Sequence, residues 1–155
     1  MSELAEGATA PDFTLPGDGG AEITLSAHQG HPVVLYFYPK DNTSGCTKEA
    51  VAFNELRSAF DDAGVVIIGV SPDPVKSHDK FKEKFELGFA LASDATHDVC
   101  ELYGVWKEKS MYGRKYMGVE RSTFLIDRDG TIAKAWRKVK VPGHAEAVLA
   151  AAKDL

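Results

Sequence analysis

Two continuous apolar runs constrain the fold of this chain more than any other feature of its sequence. The first, HPVVLYFYP, covers residues 31–39, and the second, in VVIIGVSPD, covers residues 65–71. Each run has the length of a strand, and an uninterrupted apolar run of that length predicts a strand that is buried on both faces. Strands of this kind occur in sheets that carry helices on both sides, so we expect an α/β protein.

The segments between and after these runs alternate between helix and strand patterns. Apolar residues spaced by three and four predict one helix over residues 46–63, which Gly64 ends. Further helices are predicted over PVKSHDKFKEKFEL, over THDVCELYGV, which Thr96 begins, and over the closing segment HAEAVLAAAKDL. The short segment FALASD is predicted to be a strand.

Two hairpins complete the pattern. Residues 12–15 and 22–25 predict an N-terminal β-hairpin around the turn GDGG, and residues 122–127 and 132–137 predict a second hairpin across an Asp-Gly turn. Parallel strands joined by helices, with an antiparallel hairpin added, form a mixed sheet flanked by helices. We therefore expect a thioredoxin-like three-layer sandwich, with residues 1–155 forming a single domain.

Charge and apolar content argue against several classes of partner. The net charge is −5, so the chain has no electrostatic reason to bind nucleic acid or an anionic membrane. No stretch approaches the roughly 20 apolar residues that span a bilayer, and the N-terminus lacks the pattern of a secretory signal. Together with the presence of only 2 cysteines, these features predict a protein of the reducing cytoplasm.

Two other sets of residues are interpreted as non-catalytic. The 5 histidines show no metal-binding spacing and are expected at the surface or in turns, so we expect no metal and no cofactor. The aromatic and basic segment WKEKSMYGRKYMG is expected to be a loop that forms a wall of the active site, since the acidic net charge disfavours a nucleic-acid site.

Cys46 follows the first apolar run and lies where the first long helix begins. Open α/β sheets bind ligands beyond the carboxyl ends of their strands, and the free N–H groups of a first helical turn favour a thiolate. An ordinary thiol, with a pKa of about 8.5, is only about 3% ionised at pH 7, so a nearby cation must help. Arg121, at the head of the segment RSTFLID, is the best candidate, and Lys40 and Lys48 are alternatives. Without such activation, Cys46 would be a small buried residue of no reactivity.

The residues before Cys46 narrow the chemistry. Thr43 stands where a dithiol oxidoreductase would carry a second cysteine, and a hydroxyl can orient a polar substrate but cannot close a disulfide. Pro39, Thr43 and Cys46 form the pattern P-x-x-x-T-x-x-C, which resembles the active-site motif of peroxiredoxins. The opening APDFTL also resembles that family, and the segments SPDPVKSHDKF, SDATHDVCELYGVW and YGRKYMGVERSTFLID resemble its bacterioferritin-comigratory (PrxQ) branch. The resemblance covers residues 7–149.

This resemblance implies a peroxidase that reduces hydrogen peroxide and organic hydroperoxides. Cys46 would be the peroxidatic cysteine, whose thiolate attacks one peroxide oxygen and becomes a sulfenic acid. Thr43 would form a hydrogen bond with the peroxide, and Arg121 would stabilise both the thiolate and the transition state. Pro39 would shield the thiolate, and Glu49, three positions after the cysteine, would orient the arginine.

The chain departs from this branch in its second cysteine. Many members carry a resolving cysteine five positions after the peroxidatic one, where this chain has Val51, and others carry it in the segment that matches HDKFKEKFEL, which contains none. Ser44 also replaces a residue that is often proline. The remaining cysteine, Cys100, lies on the apolar side of a short helix pattern and is expected to be buried and structural, with a resolving role as the alternative.

The expected catalytic cycle therefore relies on an external thiol. Thioredoxin, glutaredoxin or a small thiol would attack the oxidised Cys46 directly, and the resemblance implies a monomer. A thioredoxin-like disulfide reductase is the first alternative, which the missing Cys-x-x-Cys pair disfavours. A redox sensor or chaperone-like protein that kept the fold without catalysis is the second, which the presence of Pro39, Thr43 and Arg121 disfavours.

Overall fold

The computed structural model describes residues 4–155, and nine strands and five α-helices lie within that part of the chain. The strands are β1 Thr14–Pro16, β2 Glu22–Thr24, β3 Val33–Phe37, β4 Val66–Ser71, β5 Ala90–Ser93, β6 Trp106–Met111, β7 Arg114–Val119, β8 Ser122–Ile126 and β9 Ile132–Trp136. The helices are α1 Ser44–Glu55, α2 Arg57–Asp62, α3 Val75–Phe85, α4 Asp98–Leu102 and α5 His144–Lys153. Short 3-10 turns at Asp18–Gly20 and Leu25–His28 flank β2.

Five strands form the central sheet, in the order β5–β4–β3–β8–β9. β3 is parallel to β4 and β4 is parallel to β5, whereas β8 is antiparallel to both β3 and β9. Every residue of β3 is buried, as its continuous apolar run predicted. The expected mixed sheet between helices is confirmed, and the expected N-terminal hairpin is the separate antiparallel pair β1–β2.

The central sheet separates two hydrophobic cores, and alternate residues of β3 enter different ones. Val33, Leu35 and Phe37 belong to the core that also contains Cys100 of α4. Val34 and Tyr36 belong to the other core, to which α1, α2, α3 and α5 contribute Cys46, Phe53, Phe60, Phe81 and Val148. Because the two cores lie on opposite faces of the sheet, Cys46 and Cys100 also lie on opposite faces.

The expected single helix over residues 46–63 is instead two helices, α1 and α2, which meet at Leu56. The N–H of Leu56 donates to the carbonyl of Phe53, three residues back, which tightens the last turn of α1. Asn54 fixes this position, because its Oδ1 accepts hydrogen bonds from Arg57 and from the N–H of Gly88. The expected stop at Gly64 is confirmed, since Gly64 has a φ of 74°.

The segment WKEKSMYGRKYMG is a β-hairpin, so the prediction of a loop there was wrong. β6 and β7 pair in antiparallel register from Trp106–Val119 to Met111–Arg114. The connecting residues Tyr112 and Gly113 both have positive φ, which is the geometry of a tight hairpin turn. Both faces of this hairpin are largely exposed, so its side chains do not alternate between apolar and polar as they do in a half-buried strand.

The predicted start of the short helix at Thr96 was also wrong. α4 begins at Asp98, after His97 in a left-handed conformation with a φ of 58°. The free N–H groups of its first turn are bound by Asp94, whose carboxylate accepts hydrogen bonds from Val99 at 3.3 Å and Cys100 at 2.7 Å. A buried aspartate four residues before the helix therefore acts as its cap.

Gly69 of β4 occupies a position with no room for a side chain. An added Cβ would lie 2.9 Å from Cζ of Tyr36 and 3.0 Å from Cδ2 of Leu91. We therefore expect Gly69→Ala to lower the free energy of unfolding by about 1–3 kcal/mol, measured by urea denaturation.

Gly118→Ala is the matched control, because an added Cβ there would meet its nearest atoms at 3.4 Å, an ordinary contact. This variant should stay within about 0.5 kcal/mol of the unsubstituted protein. An equal loss of stability in both variants would contradict the packing argument.

Candidate active site

Cys46 is the third residue of α1, in the first turn of the helix that follows β3. The residue before the helix is Thr43, whose backbone is extended (φ −91°, ψ 159°) and whose carbonyl accepts the first helical hydrogen bond, from Thr47, at 2.8 Å. The first N–H groups of a helix have no partner inside it, so they provide a positive environment near the sulfur. Cys46 is nearly closed to solvent, with 2% of its surface exposed.

Arg121 contacts the sulfur of Cys46. Its Nη2 donates a hydrogen bond to Sγ at 3.3 Å, and its Nη1 donates one to Oε1 of Glu49 at 2.6 Å. Arg121 directly precedes β8, and the antiparallel register pairs Ser122 with Phe37 at the end of β3. This pairing carries Arg121 to the turn that follows β3. The cation beside the sulfur is therefore Arg121, while the alternative candidates Lys40 and Lys48 are exposed.

Gly45 keeps the space into which the guanidinium fits. A Cβ at this position would lie 3.1 Å from Nη2 of Arg121, which is closer than nearly all real Cβ contacts. The glycine before Cys46 therefore allows the arginine to approach the first turn of α1.

Glu49 lies on the same helix, one turn after Cys46, and exposes only 1% of its surface. Burial raises the pKa of Glu49 to about 7, although the Arg121 guanidinium opposes this shift. Burial also acts against the charge of Arg121, but its neighbours Glu49 and Cys46 raise the pKa of Arg121 above the ordinary value. The guanidinium is therefore held as a cation between a carboxylate and a sulfur atom.

Thr43 and Pro39 lie in the turn before α1. The Thr43 hydroxyl donates a hydrogen bond to the carbonyl of Lys40 at 2.8 Å, so its oxygen remains able to accept one from a bound molecule. Thr43 is exposed and Pro39 is half-buried. All five residues expected at the site thus lie in this turn, in α1 or at the head of β8.

Lys109 of β6 is a second cation that the sequence did not single out. Burial lowers the pKa of Lys109, the positive charge of Arg121 lowers it further, and Cys46 and Glu120 oppose the shift. These effects indicate that the Lys109 ammonium lies near the Arg121–Cys46 pair. The hairpin β6–β7 therefore borders the site, which agrees with the expectation that this segment forms a wall of the active site, although that wall is a hairpin and not a loop.

Two histidines are buried, so the prediction that all five lie at the surface or in turns was wrong. His78 has no exposed surface, and its Nδ1 lies 2.7 Å from Oδ2 of Asp41. His144 is 7% exposed and forms a hydrogen bond with Thr123 at 2.8 Å. Burial, with the positive charge of Arg121, lowers the pKa of His144 to about 4. Each buried ring has a polar partner from a distant part of the chain.

Cys100 lies on the other face of the central sheet from Cys46, in an apolar environment. It has no exposed surface, belongs to the core on the other face of the sheet, and forms no disulfide. Burial and the neighbouring Asp94 raise the pKa of the Cys100 thiol well above its ordinary value. Such a thiol stays protonated and unreactive at neutral pH.

Among residues 4–155, no group of three or more histidine, cysteine or acidic side chains could hold a metal ion. The same part of the chain contains no helix that is both long and apolar enough to cross a membrane.

The chain is similar in sequence and in fold to known proteins. A sequence model of the AhpC/TSA family matches residues 7–135. Peroxiredoxin Bcp of Bacillus subtilis (strain 168) is 50% identical over 149 residues, which are 96% of this chain and 95% of that protein.

Two solved structures extend the similarity to three dimensions. A mutant of Xylella fastidiosa PrxQ has a TM-score of 0.94 at 44% identity, covering 99% of this chain and 98% of that one. A Xanthomonas campestris structure, described as giving insights into the alkyl peroxide reduction activity of bacterioferritin comigratory protein, has a TM-score of 0.88 at 53% identity, covering 92% of this chain and 90% of that one. These similarities confirm the thioredoxin-like fold and the family resemblance.

Removing the charge of Arg121 should slow the reaction of Cys46. We expect Arg121→Met to lower the rate constant for oxidation of Cys46 by hydrogen peroxide by about 10²–10³, because one preorganised donor to the reacting atoms is lost. Stopped-flow fluorescence of the reduced protein measures this rate. The exposed Arg128→Met is the control and should react at the original rate; an unchanged rate in Arg121→Met would contradict the assigned contact.

Glu49 should make the stability of the fold depend on pH. Its pKa is about 7 in the folded protein and 4.5 ordinarily, so the folded chain keeps a proton that the unfolded chain has released. This contribution to stability is fully present below pH 4.5 and is lost as pH rises through about 7. We therefore expect the free energy of unfolding to fall over this range.

Denaturant titrations at several pH values measure this fall. Glu49→Gln, which cannot ionise, should lack the part of the fall that Glu49 causes. Glu55→Gln, an exposed substitution at the end of the same helix, should keep it. An identical pH dependence in all three proteins would contradict the assignment.

Proposed function

The chain belongs to the AhpC/TSA family and is a peroxiredoxin of the Bcp type, a thiol-dependent peroxidase, and from this premise we propose that Cys46 is its peroxidatic cysteine. The observation that carries the proposal is the contact between Nη2 of Arg121 and Sγ of Cys46 at 3.3 Å. It joins the one cysteine at a helix start to a cation that is itself held by a buried carboxylate, Glu49.

The first half of the reaction oxidises the sulfur. The Cys46 thiolate attacks one oxygen of the hydroperoxide, a sulfur–oxygen bond forms, and the oxygen–oxygen bond breaks. The leaving oxygen takes up a proton and departs as water or an alcohol, while the sulfur becomes a sulfenic acid. Negative charge moves from sulfur to the leaving oxygen, and Arg121 stabilises that charge at both places.

The other site residues orient the peroxide and the arginine. The Thr43 hydroxyl already donates to the carbonyl of Lys40, so its oxygen accepts the hydrogen bond from the peroxide O–H. Glu49 fixes the guanidinium plane through the 2.6 Å bond to Nη1. Pro39, at the start of the turn, keeps water from the thiolate. Hydrogen peroxide and organic hydroperoxides fit this site, in line with the alkyl peroxide reduction named for the Xanthomonas campestris protein.

The second half of the reaction returns the sulfur to a thiol, and we assign it to an external thiol. Cys46 and Cys100 belong to cores on opposite faces of the central sheet, and Cys100 is fully buried and bound to Asp94 through its N–H. A disulfide requires Cα atoms within about 7 Å, which would require the sheet or a helix to come apart. An external thiol instead attacks the sulfenic acid, releases water and forms a mixed disulfide, which a second thiol reduces.

The reductant is thioredoxin, glutaredoxin or a small thiol. We further propose that the protein acts as a monomer of one domain in the cytoplasm, where such thiols are kept reduced. The alternative function, exchange of a dithiol with substrate disulfides, lacks its second thiol, because position 43 is a threonine. A non-catalytic sensor would not need the aligned Arg121 and Glu49.

Two variants and one mass measurement test the proposal. Cys46→Ser should consume no peroxide, whereas Cys100→Ser should consume it at the original rate in the presence of excess thiol. After one equivalent of peroxide without added thiol, both the unsubstituted protein and Cys100→Ser should gain one oxygen atom, which a sulfenic-acid reagent traps.

Turnover by Cys46→Ser but not by Cys100→Ser would overturn the assignment of the nucleophile. A loss of two hydrogen atoms, with a tryptic peptide that links Cys46 to Cys100, would overturn the one-cysteine cycle, and so would a covalent dimer through Cys46.

A further inference from the structure

His78 of α3 is fully buried, and both of its ring nitrogens face hydrogen-bond acceptors. Nδ1 lies 2.7 Å from Oδ2 of Asp41, and Nε2 lies 2.9 Å from the carbonyl oxygen of Ala92. A backbone carbonyl can only accept a hydrogen bond, and an ionised carboxylate is likewise an acceptor only. With Asp41 ionised, both nitrogens carry a hydrogen atom and the ring is an imidazolium.

The Asp41 carboxylate has the partners of an anion. Oδ1 accepts a hydrogen bond from the Tyr38 hydroxyl at 2.6 Å, and Oδ2 accepts one from the Ser77 hydroxyl at 2.7 Å, in addition to the bond from His78. Two hydroxyl donors and one imidazole nitrogen converge on a side chain that is only 3% exposed. A buried charge of this kind is stable only when it is paired and fully hydrogen-bonded.

Asp41 is part of the turn that begins at Pro39 and leads through Thr43 into α1. Its own N–H donates to Oδ2 of Asp73 at 2.8 Å, and Ser71 at the end of β4 donates to the same oxygen at 2.7 Å. The turn is therefore bound through its backbone to Asp73, just after β4, and to α3 through the pair of Asp41 with His78. None of these residues touches the sulfur of Cys46 in the contacts described above.

We propose that the His78 imidazolium is a positioning residue of the peroxidase reaction, which acts by holding Asp41 and so keeps the turn of residues 39–43 and the first turn of α1 in the reactive arrangement. The inference rests on the proposed function, since it concerns the geometry around Cys46. Displacing a reacting group by about 1 Å costs roughly 10² in rate, so the hold on this turn contributes to catalysis without contact with the substrate.

The proposal has a pH dependence with a defined sign. Burial opposes the charge of His78, but the bond to Asp41 and the charges of Asp41 and Asp73 outweigh it and raise the pKa of His78 above 6.5. The Tyr38 hydroxyl, at 3.4 Å, is the remaining titratable group in contact with the ring. The stabilising pair is fully present below pH 6.5 and is lost as pH rises through the higher pKa of the folded state. A neutral ring keeps one N–H and loses the bond either to Asp41 or to Ala92.

Opening of this turn should change two measurable rates in opposite directions, which distinguishes a positioning role of His78 from a general effect on stability. Oxidation by peroxide should become slower, because Thr43 and Cys46 lose their alignment. Modification by a bulky reagent should become faster, because opening this turn would raise the accessibility of Cys46, which is 2% exposed in the closed arrangement. A substitution that merely lowers the free energy of global unfolding would not slow the oxidation of the folded protein.

The test uses His78→Gln in the full chain, with the exposed His31→Gln as the matched control. At pH 7 we expect oxidation by hydrogen peroxide to slow by about tenfold or more in His78→Gln. The rate of reaction of Cys46 with a polyethylene-glycol maleimide, relative to N-ethylmaleimide, should rise. The control should match the unsubstituted protein in both rates. The rate of oxidation per thiolate should fall at alkaline pH in the unsubstituted protein and not in His78→Gln.

Two further measurements keep the proposal testable if His78→Gln does not fold. Asp41→Asn, which keeps the shape and removes the charge, should give the same two rate changes. Nuclear magnetic resonance of the unsubstituted protein should show hydrogen on both ring nitrogens of His78 at neutral pH.

A single ring N–H at neutral pH would overturn the proposal, and so would a folded His78→Gln with unchanged oxidation and alkylation. The ring protonation and the alkylation ratio do not depend on peroxidase activity. Failure of the function assigned to Cys46 would therefore be distinguishable from failure of this inference.

Discussion

One guanidinium joins a buried carboxylate to a sulfur atom, and the site depends on this contact. Arg121 binds Glu49 at 2.6 Å and Cys46 at 3.3 Å, and both partners lie on the first turns of α1. Burying a guanidinium is costly unless its donors are paired, and Glu49 and Cys46 accept two of the hydrogen bonds that Arg121 offers. The sheet supplies the required geometry, because the antiparallel pairing of β8 with β3 brings the residue before Ser122 to the turn after Phe37.

The turn before α1 is also held by contacts that do not involve Arg121. Asp41 and the fully buried His78 form a second charged pair, and Asp73 binds the backbone of the same turn. One polar pair, Arg121 with Glu49, contacts the sulfur of Cys46, and the other, Asp41 with His78, binds the turn that leads to it. In the proposed functions, Arg121 acts on the chemistry of the sulfur, and His78 holds the turn from which Cys46 reacts.

Much of this arrangement could be predicted from the sequence, for reasons that lie in particular residues. The apolar run around β3 gave the buried strand, and Pro39, Thr43 and Cys46 marked the turn that follows it. The break at Leu56 escaped prediction because α2 continues the helical spacing of apolar residues after α1. The strands of the hairpin β6–β7 were not predicted because both of its faces are largely exposed, so its sequence need not alternate apolar and polar residues.

The buried histidines escaped prediction for a different reason. Asp41 lies 37 residues before His78, and the pairing of Thr123 with His144 spans 21 residues. From the sequence alone, a histidine shows no sign of whether a polar side chain tens of residues away will form a hydrogen bond with it and so allow it to be buried. Such pairs follow from tertiary packing, and only the packed chain reveals which polar residues can be buried.

The position of the two cysteines on opposite faces of the sheet disfavours a disulfide between them within one chain. In the proposed one-cysteine cycle, an oxidised Cys46 does not pass its oxidising equivalent to a second sulfur of the same chain, so it keeps that equivalent until a thiol arrives from outside. The fraction of oxidised chains at steady state is then set by the ratio of two encounter rates, one with peroxide and one with thiol. The redox state of Cys46 is therefore a measure of the balance between oxidant and reductant around the protein.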